Sequence, residues 1–128
     1  MTGKKVLVID DEPAMHKLLK VILEADGFEL VGPEEHGKAD SYIRKKRPDL
    51  IILDIMMPEV DGFEILRGLK GDEETSRIPV IVLSVLNMEE DIERALSLGA
   101  DLYLTKPFDP SDLLEAVRSV LSGIDSVN

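Results

Sequence analysis

The sequence contains no cysteine and no tryptophan among its 128 residues. Without cysteine, the chain can form neither a disulfide, nor a thiolate metal site, nor a cysteine nucleophile. It also lacks a run of about 18 apolar residues, which a membrane-spanning helix would need. Residues 1–5 lead into a short apolar stretch that meets acidic residues at once, which is not typical of a signal peptide. We therefore expect a cytoplasmic protein without a membrane partner.

Basic residues are scarce relative to acidic ones. The 15 Lys and Arg residues face 26 Asp and Glu residues, and the formal net charge is −11. The field of such a chain repels nucleic acid and anionic surfaces, so we expect no direct nucleic-acid binding. Hydrophobic residues make up 44% and charged residues 32%, as in a globular domain. We expect one domain over residues 1–122 and a short C-terminal tail over residues 123–128.

Four short apolar runs do not alternate with polar residues, which is typical of strands buried on both faces of a parallel sheet. They span residues 6–9, 50–53, 80–83 and 102–104. A more polar run at residues 28–31 predicts an edge strand. The sheet is therefore expected to have five strands.

Apolar residues recur at helical spacing between these runs, most clearly over 15–23 and 113–121. Pro13 and Pro110 suit first helical positions, and Asn87 followed by Glu90 resembles a capping box. Three further helices are expected near 35–46, 61–70 and 88–98. Strand and helix thus alternate five times. The pattern predicts an α/β protein with a flavodoxin-like (βα)5 fold, a doubly wound parallel sheet with strand order 2-1-3-4-5.

In a sheet of this order, ligands bind beyond the carboxyl ends of the strands, beside the first and third strands. Polar residues follow every strand that reaches this edge. They are Asp10, Asp11, Glu12, Asp54, Ser84, Thr105 and Lys106, and Pro107 comes directly after Lys106. Clustered carboxylates without His or Cys favour a hard cation with oxygen ligands. We therefore predict a Mg²⁺ site at Asp10, Asp11 and Asp54.

A carboxylate beside Mg²⁺ can attack phosphorus and form an acyl phosphate. Asp10, Asp11 and Asp54 are the carboxylates that this edge offers for such a step. The oxygens of the transferred group need compensation from a cation and a hydroxyl. Lys106 and Ser84 are the candidates for these two roles.

Four segments resemble, in order, the receiver domains of two-component response regulators, in particular chemotaxis-regulator-like ones. The segments are VLVIDDE, LIILDIMMPEVDGFEIL, PVIVLS and GADLYLTKPF, and the resemblance covers residues 4–122. It implies that Asp54 is the phosphoacceptor, that Asp10 and Asp11 form the acidic pair, and that Lys106 is the conserved-type lysine. Ser84 takes the position of the switch hydroxyl.

The resemblance has further implications for this chain. Tyr103 would be the aromatic switch residue, Met56 would lend its backbone carbonyl to Mg²⁺, and the peptide bond before Pro107 would be cis. A histidine kinase or phosphotransfer protein would donate the phosphoryl group. Phosphorylation would move Ser84 and Tyr103 inward and reshape the face of the fourth helix, fifth strand and fifth helix, where an output partner would bind.

Three functions compete at this point. The first is a signalling module that catalyses its own phosphorylation and dephosphorylation and is not otherwise an enzyme. The second is a Mg²⁺-dependent aspartyl-phosphate phosphatase or phosphotransferase, which usually has a second aspartate where this chain has Met56. The third is a receiver-like binding module that is never phosphorylated, against which the complete Asp, Ser and Lys set argues.

Two groups of residues depart from the family pattern or stand outside it. Ile92, Leu102 and Ala116 occupy positions that are often charged in receivers fused to winged-helix DNA-binding domains, so fusion to that class is disfavoured. These side chains either dock a more hydrophobic partner or face the core. His16 and His36 fall on predicted helices without a matching partner, which predicts solvated side chains.

Overall fold

The computed structural model describes residues 3–32, 43–45 and 47–126, without the side chains of residues 124–126. The strands of its main sheet are β1 (Lys5–Ile9), β2 (Glu29–Val31), β3 (Leu50–Leu53), β4 (Val80–Ser84) and β5 (Leu102–Thr105). The helices are α1 (Pro13–Ala25), α2 (43–45), α3 (Gly62–Gly71), α4 (Glu89–Ser97) and α5 (Pro110–Ser126). A short antiparallel ribbon pairs Met56–Met57 with Val60–Asp61.

The five strands form one parallel sheet in the order β2-β1-β3-β4-β5, which confirms the predicted flavodoxin-like topology. Ile9 pairs with Leu53 and Leu53 with Val82. This register brings the carboxyl ends of the three central strands to the same edge. β2, the predicted edge strand, is only three residues long.

Side chains alternate between the two faces of the sheet, and each face is covered by its own helices. One buried layer contains Leu7, Ile9, Ile51, Leu53 and Val82, packed with residues of α2, α3 and α4. The other contains Val6, Val8, Ile52, Ile81 and Leu83, packed with residues of α1 and α5. Because both faces are covered, the strands need apolar residues at every position, which explains their unbroken apolar runs.

Helix ends differ from the sequence prediction in two places. α5 continues to Ser126, so the first four residues of the predicted tail are helical. Gly123 does not stop the helix, because no proline follows it and the apolar spacing continues at Ile124. The N-cap of α4 is Met88 rather than Asn87, without a capping side-chain hydrogen bond in this described segment. Most of the helix predicted at 35–46 lies outside the described residues.

Ile92, Leu102 and Ala116, the apolar residues that depart from the family pattern, differ from one another in burial. Ala116 is buried and Leu102 is partly buried in the layer beneath α1 and α5, so these two side chains contribute to the core. Ile92 is half-buried on α4. Among the described residues, none of the helices has the length and apolar character that a bilayer crossing needs.

The amino-terminal edge of the sheet is held together by one lysine. Lys70, at the end of α3, places Nζ 2.9 Å from the carbonyl oxygen of Ile78 and 3.1 Å from Asp101 Oδ2. Asp101 Oδ2 also accepts the backbone N–H of Val80, at 2.8 Å. The ammonium therefore connects α3 to the starts of β4 and β5, far from the acidic residues at the opposite edge.

Candidate functional site

The first two site residues are positioned by the ends of neighbouring strands. Asp10 follows β1 and Asp54 follows β3, and each residue is 5% exposed. The N–H of Asp54 donates to the carbonyl of Ile9 at 3.0 Å, so the ladder continues one residue beyond β3. The extended ladder places the two carboxyl groups next to each other at the edge of the sheet.

Lys106 reaches this edge from β5. Its backbone N–H donates to the carbonyl of Ser84 at 2.8 Å, and the peptide bond that joins it to Pro107 is cis. The side chain is 8% exposed, with Nζ 2.9 Å from Asp10 Oδ2 and 3.2 Å from Asp54 Oδ2. Glu12 Oε1 lies 3.7 Å from the same ammonium. One cation therefore faces three carboxylates.

The excess of carboxylates over ammonium groups shifts the pKa values of Asp54 and Lys106. Burial raises the pKa of Asp54, the charge of Asp10 raises it further, and neither the Met56 N–H nor Lys106 compensates in full. Burial opposes the charge of Lys106, but its hydrogen bond to Asp10 and the charges of Asp10 and Asp54 outweigh this effect and raise its pKa. The ammonium is thus held charged, while Asp54 carries an uncompensated charge that a second cation would relieve.

Asp10, Glu12 and Asp54, called the acidic cluster below, can each offer a carboxylate oxygen within 4.8 Å of the others. Three hard oxygen donors in this arrangement fit Mg²⁺ and exclude a site for a thiophilic metal. The sequence predicted Asp10 and Asp54 but not Glu12. Asp11, the other predicted ligand, is exposed and lies outside this cluster.

Met56 contributes its backbone to the loop after β3. Its N–H donates to Asp54 Oδ1 at 2.9 Å, whereas its side chain is 54% exposed. The N–H of Gly62 donates to the carbonyl of Ile55 at 3.3 Å and closes the loop. A Cβ on Gly62 would lie only 2.2 Å from Ile55 Cα, so this turn requires glycine.

Ser84 and Tyr103 meet at the loop that follows β4. The side chain of Ser84, a fully buried residue, accepts the N–H of Leu86 at 3.3 Å. The Tyr103 hydroxyl donates to the carbonyl of Leu86 at 2.7 Å, and burial raises the pKa of this hydroxyl. Both predicted switch residues therefore hold the same backbone unit.

The prediction that His16 is solvated is wrong. Its ring is half-buried, and Nε2 lies 2.7 Å from the carbonyl oxygen of Asp10. The signal available in the sequence was spacing, since His16 falls one helical turn after Glu12 and so faces the loop before α1. The other predicted solvated histidine, His36, lies outside the described residues.

Comparison with known proteins agrees with this geometry. The family model for the response regulator receiver domain matches residues 6–118. The phosphate regulon transcriptional regulatory protein PhoB of Pseudomonas aeruginosa is 40% identical over 121 residues, which are 94% of this chain and 53% of that protein. The chain thus spans about half the length of the curated relatives it matches.

Solved structures agree as well. The signal receiver domain of a histidine kinase from Syntrophus aciditrophicus superposes with a TM-score of 0.86 at 37% identity, covering 97% of this chain and 94% of that one. A CheY-like receiver domain protein from Methanospirillum hungatei gives 0.87 at 28% identity, covering 99% and 100%. Since one family model covers nearly the whole chain and these folds match end to end, the chain belongs to the response regulator receiver domain family of two-component systems.

Proposed function

We propose that Asp54 accepts a phosphoryl group from the phosphohistidine of a histidine kinase or phosphotransfer protein. The observation that carries this proposal is the position of Lys106 Nζ, 2.9 Å from Asp10 and 3.2 Å from Asp54 in a nearly buried site. A buried ammonium between two carboxylates is prepared to bind a phosphoryl oxygen as soon as the charge of Asp54 is consumed.

In the proposed reaction, a carboxylate oxygen of Asp54 forms a bond to phosphorus while the phosphorus–nitrogen bond to the donor imidazole breaks. The imidazole leaves with the electron pair and is protonated. Lys106 transfers its contact from the Asp54 oxygen to an oxygen of the bound phosphoryl group. The hydroxyl of Ser84 donates to another of these oxygens.

Mg²⁺ would be held by Asp10, Asp54 and the backbone carbonyl of Met56, with Asp11 or Glu12 acting through water. When bound, it would neutralise charge on the phosphoryl oxygens. The excess of carboxylates over Lys106 supports this assignment, because the acidic cluster would otherwise repel a dianionic group. The carboxylates of the acidic cluster would also bind the water that hydrolyses the acyl phosphate in self-catalysed dephosphorylation.

The switch would begin at Ser84. Movement of its hydroxyl toward the phosphoryl group would lengthen the 3.3 Å contact with the N–H of Leu86, and the Tyr103 hydroxyl donates to the carbonyl of that same residue. Movement of one hydroxyl therefore disturbs the contact of the other. The result would be a shift between two packings of the surface formed by α4, β5 and α5, where an output partner binds.

The phosphatase alternative is not favoured. It needs a proton-transferring group two residues after the nucleophile, and Met56 has an exposed thioether there, which cannot act as an acid or base. We propose a cytoplasmic location and an output partner in the same or another chain. The PhoB relative is named as a transcriptional regulator, which weakens the sequence-based expectation against fusion to a DNA-binding domain.

Intact mass after incubation with Mg²⁺ and acetyl phosphate tests the proposal. We expect one added phosphoryl group in the wild type and in Asp112→Asn, a control at an exposed aspartate of α5. Asp54→Ala should remain unlabelled, and EDTA should abolish labelling of the wild type. An equal adduct in Asp54→Ala would overturn the assignment. If no protein is labelled, beryllofluoride binding decides, because an unphosphorylated binding module would not retain it.

A further inference from the structure

The carbonyl of Asp10 points away from the phosphorylation site toward the edge strand. Carbonyls of consecutive residues in a strand point to opposite neighbouring strands. Lys4 accepts from Glu29 of β2, whereas Lys5 accepts from Asp49 and Ile9 from Asp54, both on the β3 side. Asp10 has the same parity as Lys4, so its carbonyl is directed to the β2 side of the sheet.

Within the described residues, which pause after residue 32, β2 offers no N–H to this carbonyl. Its last residue, Val31, pairs with Leu7, three positions before Asp10. The imidazole of His16 supplies the missing donor, with Nε2 2.7 Å from the Asp10 oxygen. The ring lies beside Gly32, where an added Cβ would be 3.9 Å from His16 Cε1, an ordinary contact distance. A side chain from α1 thus continues the hydrogen bonding where the edge strand stops.

This contact fixes one face of the loop that carries the acidic residues. A carbonyl oxygen can only accept, so Nε2 of His16 carries the proton. The other side of Asp10 is fixed as well, because its Oδ1 accepts the N–H of Glu12 at 2.9 Å and its Oδ2 contacts Lys106. Main chain and carboxylate of Asp10 are therefore held from opposite sides.

We infer that His16 is a positioning residue of the phosphorylation site, which orients the Asp10–Asp11 peptide so that the acidic cluster is prepared for Mg²⁺. The inference rests on the proposed function for the identity of the ion and the reaction. His16 does not touch the reacting atoms, and it acts through the backbone of Asp10. Mutation of a group that orients a metal ligand commonly weakens metal affinity on the order of 10- to 100-fold.

The test compares the Mg²⁺ dissociation constants of three variants by titration calorimetry. His16→Leu removes the donor and keeps an apolar side chain of similar size, and His16→Gln keeps an N–H donor of similar reach. Lys17→Leu is the control, an apolar substitution at the exposed neighbour on α1. We expect affinity on the order of tenfold weaker in His16→Leu and near wild type in the other two. Wild-type affinity in His16→Leu would overturn the inference, as would equal loss in His16→Gln.

A spectroscopic readout separates positioning from a general effect on folding. Nitrogen-15 NMR of the metal-free wild type should show the proton on Nε2, and the carbonyl carbon shift of Asp10 should change in His16→Leu and recover in His16→Gln. A proton on Nδ1 would contradict the inference. If the wild type is neither labelled by acetyl phosphate nor able to retain beryllofluoride while the Mg²⁺ affinities keep the expected order, the phosphoacceptor proposal fails and the role of His16 is supported.

Discussion

The guanidinium of Arg94 lies 4.0 Å from the ring centroid of Phe63 and joins α4 to α3. Phe63 is buried at the start of α3, just after the loop that carries Met56. Of the nine described residues of α4, only Ala95 is buried. The stack therefore adds a contact between α4 and α3 to the packing of Ala95 in the buried layer.

Arg94→Gln should loosen α4 without removing the buried layer beneath it. A cation over an aromatic face contributes about 0.5–1 kcal/mol at a partly exposed site. We expect faster amide hydrogen exchange within α4 and a small loss of global stability, measured by exchange mass spectrometry and urea unfolding. Glu93→Gln, at the exposed neighbouring position, is the control. Unchanged exchange in α4 would show that the stack does not hold the helix.

Asp54→Asn should stabilise the metal-free protein at neutral pH. Burial raises the pKa of Asp54 above its ordinary value of 3.8, so the fold favours the neutral carboxyl. The stability contributed by this group is present below pH 3.8 and is lost as the pH rises through the raised pKa. Asparagine is neutral throughout, so its higher Tm should approach that of the wild type on acidification.

Thermal unfolding in EDTA across this pH range measures the effect. Asp112→Asn, at an exposed site on α5, should follow the wild type at every pH. A Tm difference between Asp54→Asn and wild type that grows as the pH falls would mean that the carboxylate stabilises the fold.

Lys106→Met should separate metal binding from phosphorylation. The ammonium forms ion pairs with both Asp10 and Asp54, so its removal leaves the negative charges of both carboxylates uncompensated. We expect tighter Mg²⁺ binding by calorimetry, because a competing cation is gone. The rate of labelling by acetyl phosphate should fall by about 10²-fold or more, because a preorganised donor to the phosphoryl oxygens is lost.

Lys20→Met, at an exposed position of α1, provides the control for loss of one positive charge. If Lys106→Met lost Mg²⁺ affinity and labelling together, the lysine would be needed to shape the acidic cluster rather than to bind the phosphoryl group.

Lys70→Met should destabilise the domain and leave the phosphorylation site intact. The change removes hydrogen bonds from an ammonium to the carbonyls of Ser76 and Ile78 and to Asp101. Charged hydrogen bonds of this kind contribute about 1.5–3 kcal/mol, so we expect a loss of about 2 kcal/mol in urea unfolding. Arg67→Met, with 64% of its side chain exposed, should cost little. Mg²⁺ affinity should not change, and weaker binding would contradict the separation of the two edges.

The sheet and its order were predictable because a strand covered on both faces must be apolar at every position, as in the runs at 50–53 and 80–83. The site followed from the same step, since parallel strands end at one edge and the residues after each end must meet there. Asp10, Asp54 and Lys106 could therefore be brought together from sequence position alone.

His16 could not be found in this way, and Glu12 was placed at this edge but not identified as a possible metal ligand. Their places depend on the direction of α1 and on the length of β2, which ends opposite Leu7. Among the described residues no strand N–H reaches the carbonyl of Asp10, and only the folded chain shows that the His16 side chain contacts it. The N-cap at Met88 was also missed, because no side-chain hydrogen bond caps this described helix and the N–H groups of Asp91 and Ile92 donate to the Met88 carbonyl.

Because Gly62 lies so close to Ile55, codon 62 should tolerate almost no substitution. Every other encoded amino acid carries a Cβ, and that atom would lie 2.2 Å from Ile55 Cα, in a turn that also fixes the Met56 N–H on Asp54. In a saturation library selected for signalling, glycine should dominate here, although Glu64, two residues later, is exposed and freer to vary. The evolutionary freedom of this segment is thus set by backbone proximity rather than by chemistry.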